Sequence, residues 1–245
     1  MATGTLYLIP NTLGETPAQD VLSMEVLRIA AGLDYLVAEN AKSARAFLKN
    51  VGQAVPLRLP IQQIEIRELH IETPTSALPA LLGPLLEGRD CGLVSEAGCP
   101  AIADPGANLV RLAHEHGVTV RPLVGPSSIL LALMGSGLNG QSFAFVGYLP
   151  TDPTARARRI GQIELQSRKE NQTQLFIETP YRNEILLAAL LQSCAPQTRL
   201  CVAVDLTLPG ESIQTRTIRT WRATNDALPK LQKRQVVFAL LAAAG

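Results

Sequence analysis

The sequence holds only four cysteines and three histidines in 245 residues, and its 22 Lys+Arg against 21 Asp+Glu leave a formal charge of +1. Cys91, Cys99, Cys194 and Cys201 form no CxxC pair, and each sits in or beside an apolar stretch. That pattern fits reduced thiols of a cytoplasmic protein, not a disulfide framework or a zinc site. His114 and His116 are separated by one residue, which on a helix turns them to different faces, and His70 stands apart from both. No metal site is expected. The near-zero charge excludes an overall basic coat for wrapping nucleic acid, since phosphate binding needs clustered Lys and Arg. Disorder is excluded by a content of 47% hydrophobic and 18% charged residues. Long hydrophobic runs are also lacking. Residues 122–151 carry no charge, yet glycines, prolines and polar residues interrupt them, and the longest apolar run is Ile129–Met134. A membrane span needs about 20 mostly apolar residues, so none is expected. The N-terminus shows no basic segment followed by an apolar one, so no signal peptide is expected. GxSxG, HExxH and Walker lysine motifs are absent as well.

What is present is alternation. Thr5–Ile9, Tyr35–Ala38, Gly92–Ser95 and Val118–Leu123 read as strands. Between them, helical spacing appears from Val21 to Gly32, over Lys42–Asn50, over Leu78–Leu86 and from Leu109 to Gly117. Pro84 is expected to kink or end its helix. Farther on, an apolar segment runs to Met134. Phe143–Tyr148, Gln174–Glu178, Leu200–Val204, Ser212–Trp221 and Gln235–Leu241 read as strands, and Thr154–Glu170 as an exposed charged helix. Thr179-Pro180 has the form of an N-cap and first position opening a helix through Leu191, and Pro209-Gly210 marks a turn. The expected fold class is α/β with two domains, 1–123 and 124–245. The first is a mainly parallel sheet with helices on both faces and the second a mixed sheet.

Dividing the chain reveals an asymmetry. Residues 1–121 hold 9 Lys+Arg against 13 Asp+Glu, a net of −4, whereas residues 122–245 hold 13 against 8, a net of +5. A basic rim on the second half therefore remains open, with Arg156, Arg158 and Arg159 as candidate nucleic-acid contacts or simply a solvated helix face.

Two loops invite a chemical reading. Gly135-Ser136-Gly137-Leu138-Asn139-Gly140 matches GxGxxG, but a helix-like run precedes it and a strand follows, the reverse of a dinucleotide site. A helix end and turn explains it better. Ser95–Gly106 follows a strand and carries two prolines, two glycines and two acids before a helix. Such strand-end loops are where open α/β sheets bind ligands. Its Glu96–Ile102 section is expected to face a ligand, while Asp104 and Pro105 are expected to cap the next helix.

Taken in order, Gly4–Pro10, Ser95–Gly106, Pro122–Ser128, Ser136-Gly137-Leu138, Gly147–Pro150, Glu178–Arg182 and Ala203–Thr207 resemble the tetrapyrrole methylase superfamily. The branch they resemble most is the small-subunit ribosomal RNA (cytidine-2′-O)-methyltransferases. The resemblance covers nearly the whole chain. It implies an S-adenosylmethionine-dependent methyltransferase, usually a homodimer, with the cofactor in a cleft between two α/β domains. Carried over residue by residue, it assigns cofactor contacts to Leu13, Ala97, Gly98, Cys99, Ile102, Ser127, Ser128, Glu178 and Thr207. It leaves Glu39, Glu96, Tyr181 and Arg182 as acceptor-side candidates. Ribosomal RNA or the small ribosomal subunit is the implied partner.

The chain departs from that pattern near the acceptor side. After the second strand the usual Glu-Asp-Thr-Arg-His-Thr run is here Glu39-Asn40-Ala41-Lys42-Ser43-Ala44. The first loop reads Asn11-Thr12-Leu13-Gly14-Glu15, and the usual Ser-Asp-Ala-Gly-Thr-Pro is Ser95-Glu96-Ala97-Gly98-Cys99-Pro100. Cofactor use is thus the firmer inference. A tetrapyrrole or other small acceptor, or a cofactor-binding protein without turnover, are the competing readings.

Overall fold

The computed structural model describes residues 2–224 and 228–243. The chain divides into two compact units, Met1–Ser127 and Ser128–Gly245.

The first unit runs β1 (Thr5–Ile9), α1 (Ala18–Val21), α2 (Met24–Gly32), β2 (Tyr35–Ala38), α3 (Ala41–Ala54), β3 (Glu65–Glu68), α4 (Leu78–Leu86), β4 (Cys91–Val94), α5 (Ala107–Glu115) and β5 (Thr119–Pro122). Its strands form one sheet in the order β3-β2-β4-β1-β5, every pair parallel. β2 and β4 are buried at every residue, as expected of central parallel strands covered on both faces. Alternate side chains feed two cores. Ile9, Leu36 and Val94 pack with α1, α2 and α3, while Leu6, Tyr35, Val37 and Leu93 pack with α4 and α5.

Helix starts follow from local chemistry. The Ser23 hydroxyl accepts from the Val26 amide at the head of α2. The Asn40 side chain accepts from Lys42 and Ser43 at the head of α3. Asn40 therefore replaces the usual aspartate as an equally good N-cap. α3 extends beyond the expected Lys42–Asn50. β3 was not expected at all, because three of its four residues are charged. It is an edge strand whose side chains are half-buried or exposed, where charge is tolerated. Of the two outcomes expected of Pro84, a kink or an end, the second does not occur. The helix continues to Leu86, and the Ala80 carbonyl, deprived of its helical partner by the proline, accepts instead from the Arg67 guanidinium at 2.6 Å.

The second unit comprises α6 (Ser128–Ser136), β6 (Phe143–Tyr148), α7 (Pro153–Glu170), β7 (Thr173–Ile177), α8 (Asn183–Ser193), β8 (Arg199–Val204), β9 (Ser212–Thr217), α9 (Ile218–Ala223) and β10 (Val236–Leu241). Its sheet has the order β6-β7-β10-β8-β9. Only β6 and β7 are parallel; β10 runs antiparallel to both β7 and β8, and β8 to β9. The sheet is mixed, as expected. One face packs on α7, α8 and α9 through Ile160, Ile163, Phe176, Leu187, Trp221 and Phe238. Against the other, Gly135 of α6 lies so near Ile213 that a Cβ would fall 2.4 Å from its Cδ1. The Thr215 hydroxyl also donates to the Ser136 carbonyl. The GxGxxG match is thus a helix packed on a sheet and ended by Gly137 in a left-handed conformation (φ 65°).

Two expectations are corrected here. α8 begins at Asn183, not at Pro180, because Thr179–Arg182 closes as a turn with the Arg182 amide on the Thr179 carbonyl. Trp221 belongs to a helix and not to the strand, which stops at Thr217, whose hydroxyl accepts from the Thr220 amide and caps α9. The indole of Trp221, fully buried, donates to the Leu200 carbonyl. Among the described residues, no helix is long and apolar enough to cross a membrane.

Candidate functional site

In the first unit the connection leaving β1 passes to α1 and α2 on one face, while that leaving β4 passes to α5 on the other. β1 and β4 are neighbours. Their carboxyl ends therefore form a topological switch point, where diverging loops open a crevice at the sheet edge.

Asn11 joins the two loops. Its amide donates to the Gly98 carbonyl at 2.8 Å. Its side-chain nitrogen donates to the Ser95 and Glu96 carbonyls at 3.1 and 3.0 Å, and its side-chain oxygen accepts from the Thr12 amide. Sequence reading named this residue only as part of the first loop and gave it no role; an asparagine directly after Pro10, at the end of β1, was the available signal. Leu13 is buried against Gly98, whose φ of 69° suits glycine and where a Cβ would lie 3.1 Å from Leu13 Cδ2. The Cys99 thiol donates to the Pro126 carbonyl at 3.4 Å, and burial pushes its pKa up. Gly125 lies so close to Pro10 that a Cβ would come within 2.2 Å of the ring. Leu13, Ala97, Gly98 and Cys99 thus share one edge with the Pro10 and Gly125–Pro126 segments. Ile102 is half exposed, Ser127 closes the unit and Ser128 opens α6 in the next.

Asp104 is not the helix cap expected of it. α5 is capped by Gly106, with no side-chain cap bond. Ala101 and Ala103 adopt positive φ, 65° each, and Gly106 reaches 135°, and these turns carry Asp104 to the wall of a cavity of about 200 Å³. His70, Thr73, Ala103 and Asn108 also line it. Burial pushes the Asp104 carboxyl up to about 6, assisted by Glu39 and Glu96 and opposed by a Ser95 hydrogen bond. Glu39 is likewise raised, by burial first and Glu96 second, against His70. Glu39, Glu96 and Asp104 therefore feel one another.

In the second unit β7 and β8 run parallel to each other with β10 between them, so Glu178 and Thr207 follow strands that end at one edge. The Glu178 side chain is 2% exposed and pairs with Arg182 at 3.0 Å. Its Oε1 accepts from the Thr179 amide at 2.8 Å. Thr207 has a φ of 69°, and its amide donates to Glu211. Two buried polar atoms here, Asn183 Oδ1 and Thr207 Oγ1, have no hydrogen-bond partner among the described residues, and Glu178 Oε2 has only the ion pair with Arg182. Orphaned buried acceptors are uncommon in folded proteins, and they suit a polar cofactor. Tyr181 is 72% exposed. Arg182, by contrast, is committed to Glu178, which sequence reading did not foresee. Arg156 is buried, donating to the Thr151 carbonyl; it is neither a solvated residue nor an open contact. Arg158 is exposed and Arg159 half-buried. Among the described residues no cluster could hold a metal ion.

No family model matches the chain. A ribosomal RNA small subunit methyltransferase I from Vibrio cholerae is 30% identical over 224 residues, spanning 90% of this chain and 72% of that protein. The Xylella fastidiosa protein of the same name is 30% identical over 217 residues, with 89% and 74% covered. The chain belongs to the ribosomal RNA small subunit methyltransferase I family. Members of this family are methyltransferases that use S-adenosylmethionine, and so is this chain. The fold is that of the tetrapyrrole methylases. The methyltransferase CobJ superposes with a TM-score of 0.62 at 18% identity, over 99% of this chain and 95% of its own. Cobalt precorrin-4 methyltransferase gives 0.57 at 15%, over 97% and 94%.

Proposed function

We propose that this methyltransferase acts on small-subunit ribosomal RNA, at a ribose 2′-hydroxyl. The observation that carries the reading is the family membership over nearly the whole chain, joined to a switch-point edge where the loops after β1 and β4 are locked together by Asn11. On this reading Leu13, Ala97, Gly98, Cys99, Ile102 and Ser127 serve the cofactor from the first unit, and Ser128, Glu178 and Thr207 from the second. S-adenosylmethionine supplies a methyl group already activated on a sulfonium. The chain's own task is then to orient the acceptor hydroxyl and receive its proton. Glu39 and Glu96, half-buried and exposed respectively, are proposed to face the acceptor, with the exposed Tyr181 as a stacking surface.

The protein is further proposed to work as a homodimer in the cytoplasm, as the resemblance implies. Four cysteines without a CxxC pair, three of them buried, fit that compartment. Calorimetry with S-adenosylhomocysteine is the primary test, and no saturable binding at millimolar ligand would overturn the cofactor assignments. Mapping ribosomal 2′-O-methyl groups in a host lacking the gene tests the acceptor. An unchanged map would overturn the RNA reading and leave a tetrapyrrole or other small acceptor. Light scattering of the purified chain decides the oligomeric state.

A further inference from the structure

Arg182 occupies a place that neither a surface residue nor an acceptor contact explains. Glu178 sits immediately after β7 with its side chain 2% exposed. An ionised carboxylate in such a place is costly unless a charge offsets it. The Arg182 guanidinium lies 3.0 Å from Glu178 Oε2 and is itself only 27% exposed. Glu178 Oε1 is occupied by the Thr179 amide. Yet neither Oε2 nor the facing Arg182 nitrogen makes a hydrogen bond among the described residues. The two charges are near enough to neutralise one another but are not aligned as donor and acceptor.

The turn that carries them does not depend on the ion pair. The Arg182 amide donates to the Thr179 carbonyl, the Lys233 amide to the Pro180 carbonyl, and the Asn183 side chain to the Arg234 carbonyl. Arg234 in turn pairs with Asp205, three residues after which the loop bearing Thr207 turns back. Backbone and side-chain bonds thus fix the position of Glu178, and what Arg182 adds is charge.

We infer that Arg182 is a positioning residue that holds Glu178 as a buried carboxylate whose ion-paired Oε2 keeps a second lone pair to accept a hydrogen bond from a ligand. The ligand group must carry a polarised N–H or O–H, as an amine or a hydroxyl does. A charged acceptor gives a stronger bond than a neutral one, and removing its counter-charge leaves an uncompensated buried ion. This rests on the proposal that Glu178 serves the cofactor, and it replaces the acceptor-side role first expected of Arg182.

The test is a double-mutant cycle read by calorimetry with S-adenosylhomocysteine, using the full chain. Arg182→Gln is expected to weaken binding about tenfold, and Arg182→Lys, which keeps the charge, about threefold. Glu178→Gln should also weaken binding. In the combined variant Arg182→Gln should then cost nothing further, because it acts through a charge no longer there. An additional loss in the combined variant, comparable with the single one, would overturn the inference. So would unchanged affinity in Arg182→Gln with weakened binding of ribosomal RNA, which is the acceptor-contact outcome. If Arg182→Gln proves unfolded by its melting curve, the comparison of Arg182→Lys alone and on Glu178→Gln supplies the same cycle. Should the unmodified protein fail to bind the ligand, it is the cofactor assignment that falls.

Discussion

The Arg67 guanidinium donates to the Ala80 carbonyl at 2.6 Å, and so supplies from a neighbouring strand the donor that Pro84 cannot. A side chain of β3 thereby repairs a helix on the same sheet face. Replacing Arg67 with Met should destabilise the protein by about 1 kcal/mol in the natural background. With Pro84→Ala, which restores the helical amide, the cost should shrink. Chemical denaturation of the four proteins measures the coupling, and strictly additive effects would sink the idea.

Asp104 makes stability depend on pH in an unusual direction for a carboxylate. Its ordinary value is 3.8, and in the folded chain it stands near 6. The folded state therefore keeps a proton that the unfolded state has lost. The associated stability is complete below about pH 4 and disappears as pH rises through 6. Asp104→Asn abolishes that loss. Allowing for partial exposure, the variant should gain about 1 kcal/mol on the natural protein between pH 4 and pH 8. Parallel melting-temperature profiles for the two proteins would rule it out.

Of the four cysteines Cys99 alone is part-exposed; Cys91, Cys194 and Cys201 are buried. A soluble thiol reagent should modify one site in the native protein and four after unfolding. The reaction should be slow, because burial disfavours the Cys99 thiolate, and slower still with S-adenosylhomocysteine present. Peptide mapping that placed the first label elsewhere would contradict this.

Gly125 tolerates no side chain. A Cβ would meet the Pro10 ring at 2.2 Å, and a proline ring has little freedom to yield. Gly125→Ala should cost about 2–3 kcal/mol and weaken S-adenosylhomocysteine binding, since it pushes apart the segments that flank Asn11. Retention of both stability and affinity in the variant would show that the contact is not rigid.

The alternation of apolar runs was legible in the sequence because central parallel strands are apolar on both faces. Tyr35–Ala38 and Phe143–Tyr148 coincide with their observed limits. β3 was hidden because the Glu-Ile-Arg-Glu run carries the polarity of an edge, and a charged run reads as loop. Trp221 was misplaced because its aromatic bulk suggests a strand, whereas the Thr217 cap starts a helix. At the candidate site, the loops could be located from glycine, proline and small residues. The partnerships within them could not. Asn11 reaches Ser95 and Glu96 across more than eighty residues, and Asp104 reads as a cap until the positive φ angles of Ala101 and Ala103 move the helix start to Gly106. Such relationships depend on which loops the topology brings together, and residue type alone does not encode that.

The position of β10 has a consequence for synthesis. In the first unit β4 lies between two strands made earlier, β1 and β2, but it is followed by most of the chain, so the sheet can close while synthesis continues. In the second unit β10, residues 236–241, lies between β7 and β8, both of which are made earlier. Until β10 arrives, those two strands each present an open edge, the kind of surface that invites mispairing between nascent chains. The first unit can therefore mature during translation, while the second must wait for its last strand, and a ribosome that stalls near residue 235 would release a chain half folded and prone to aggregate.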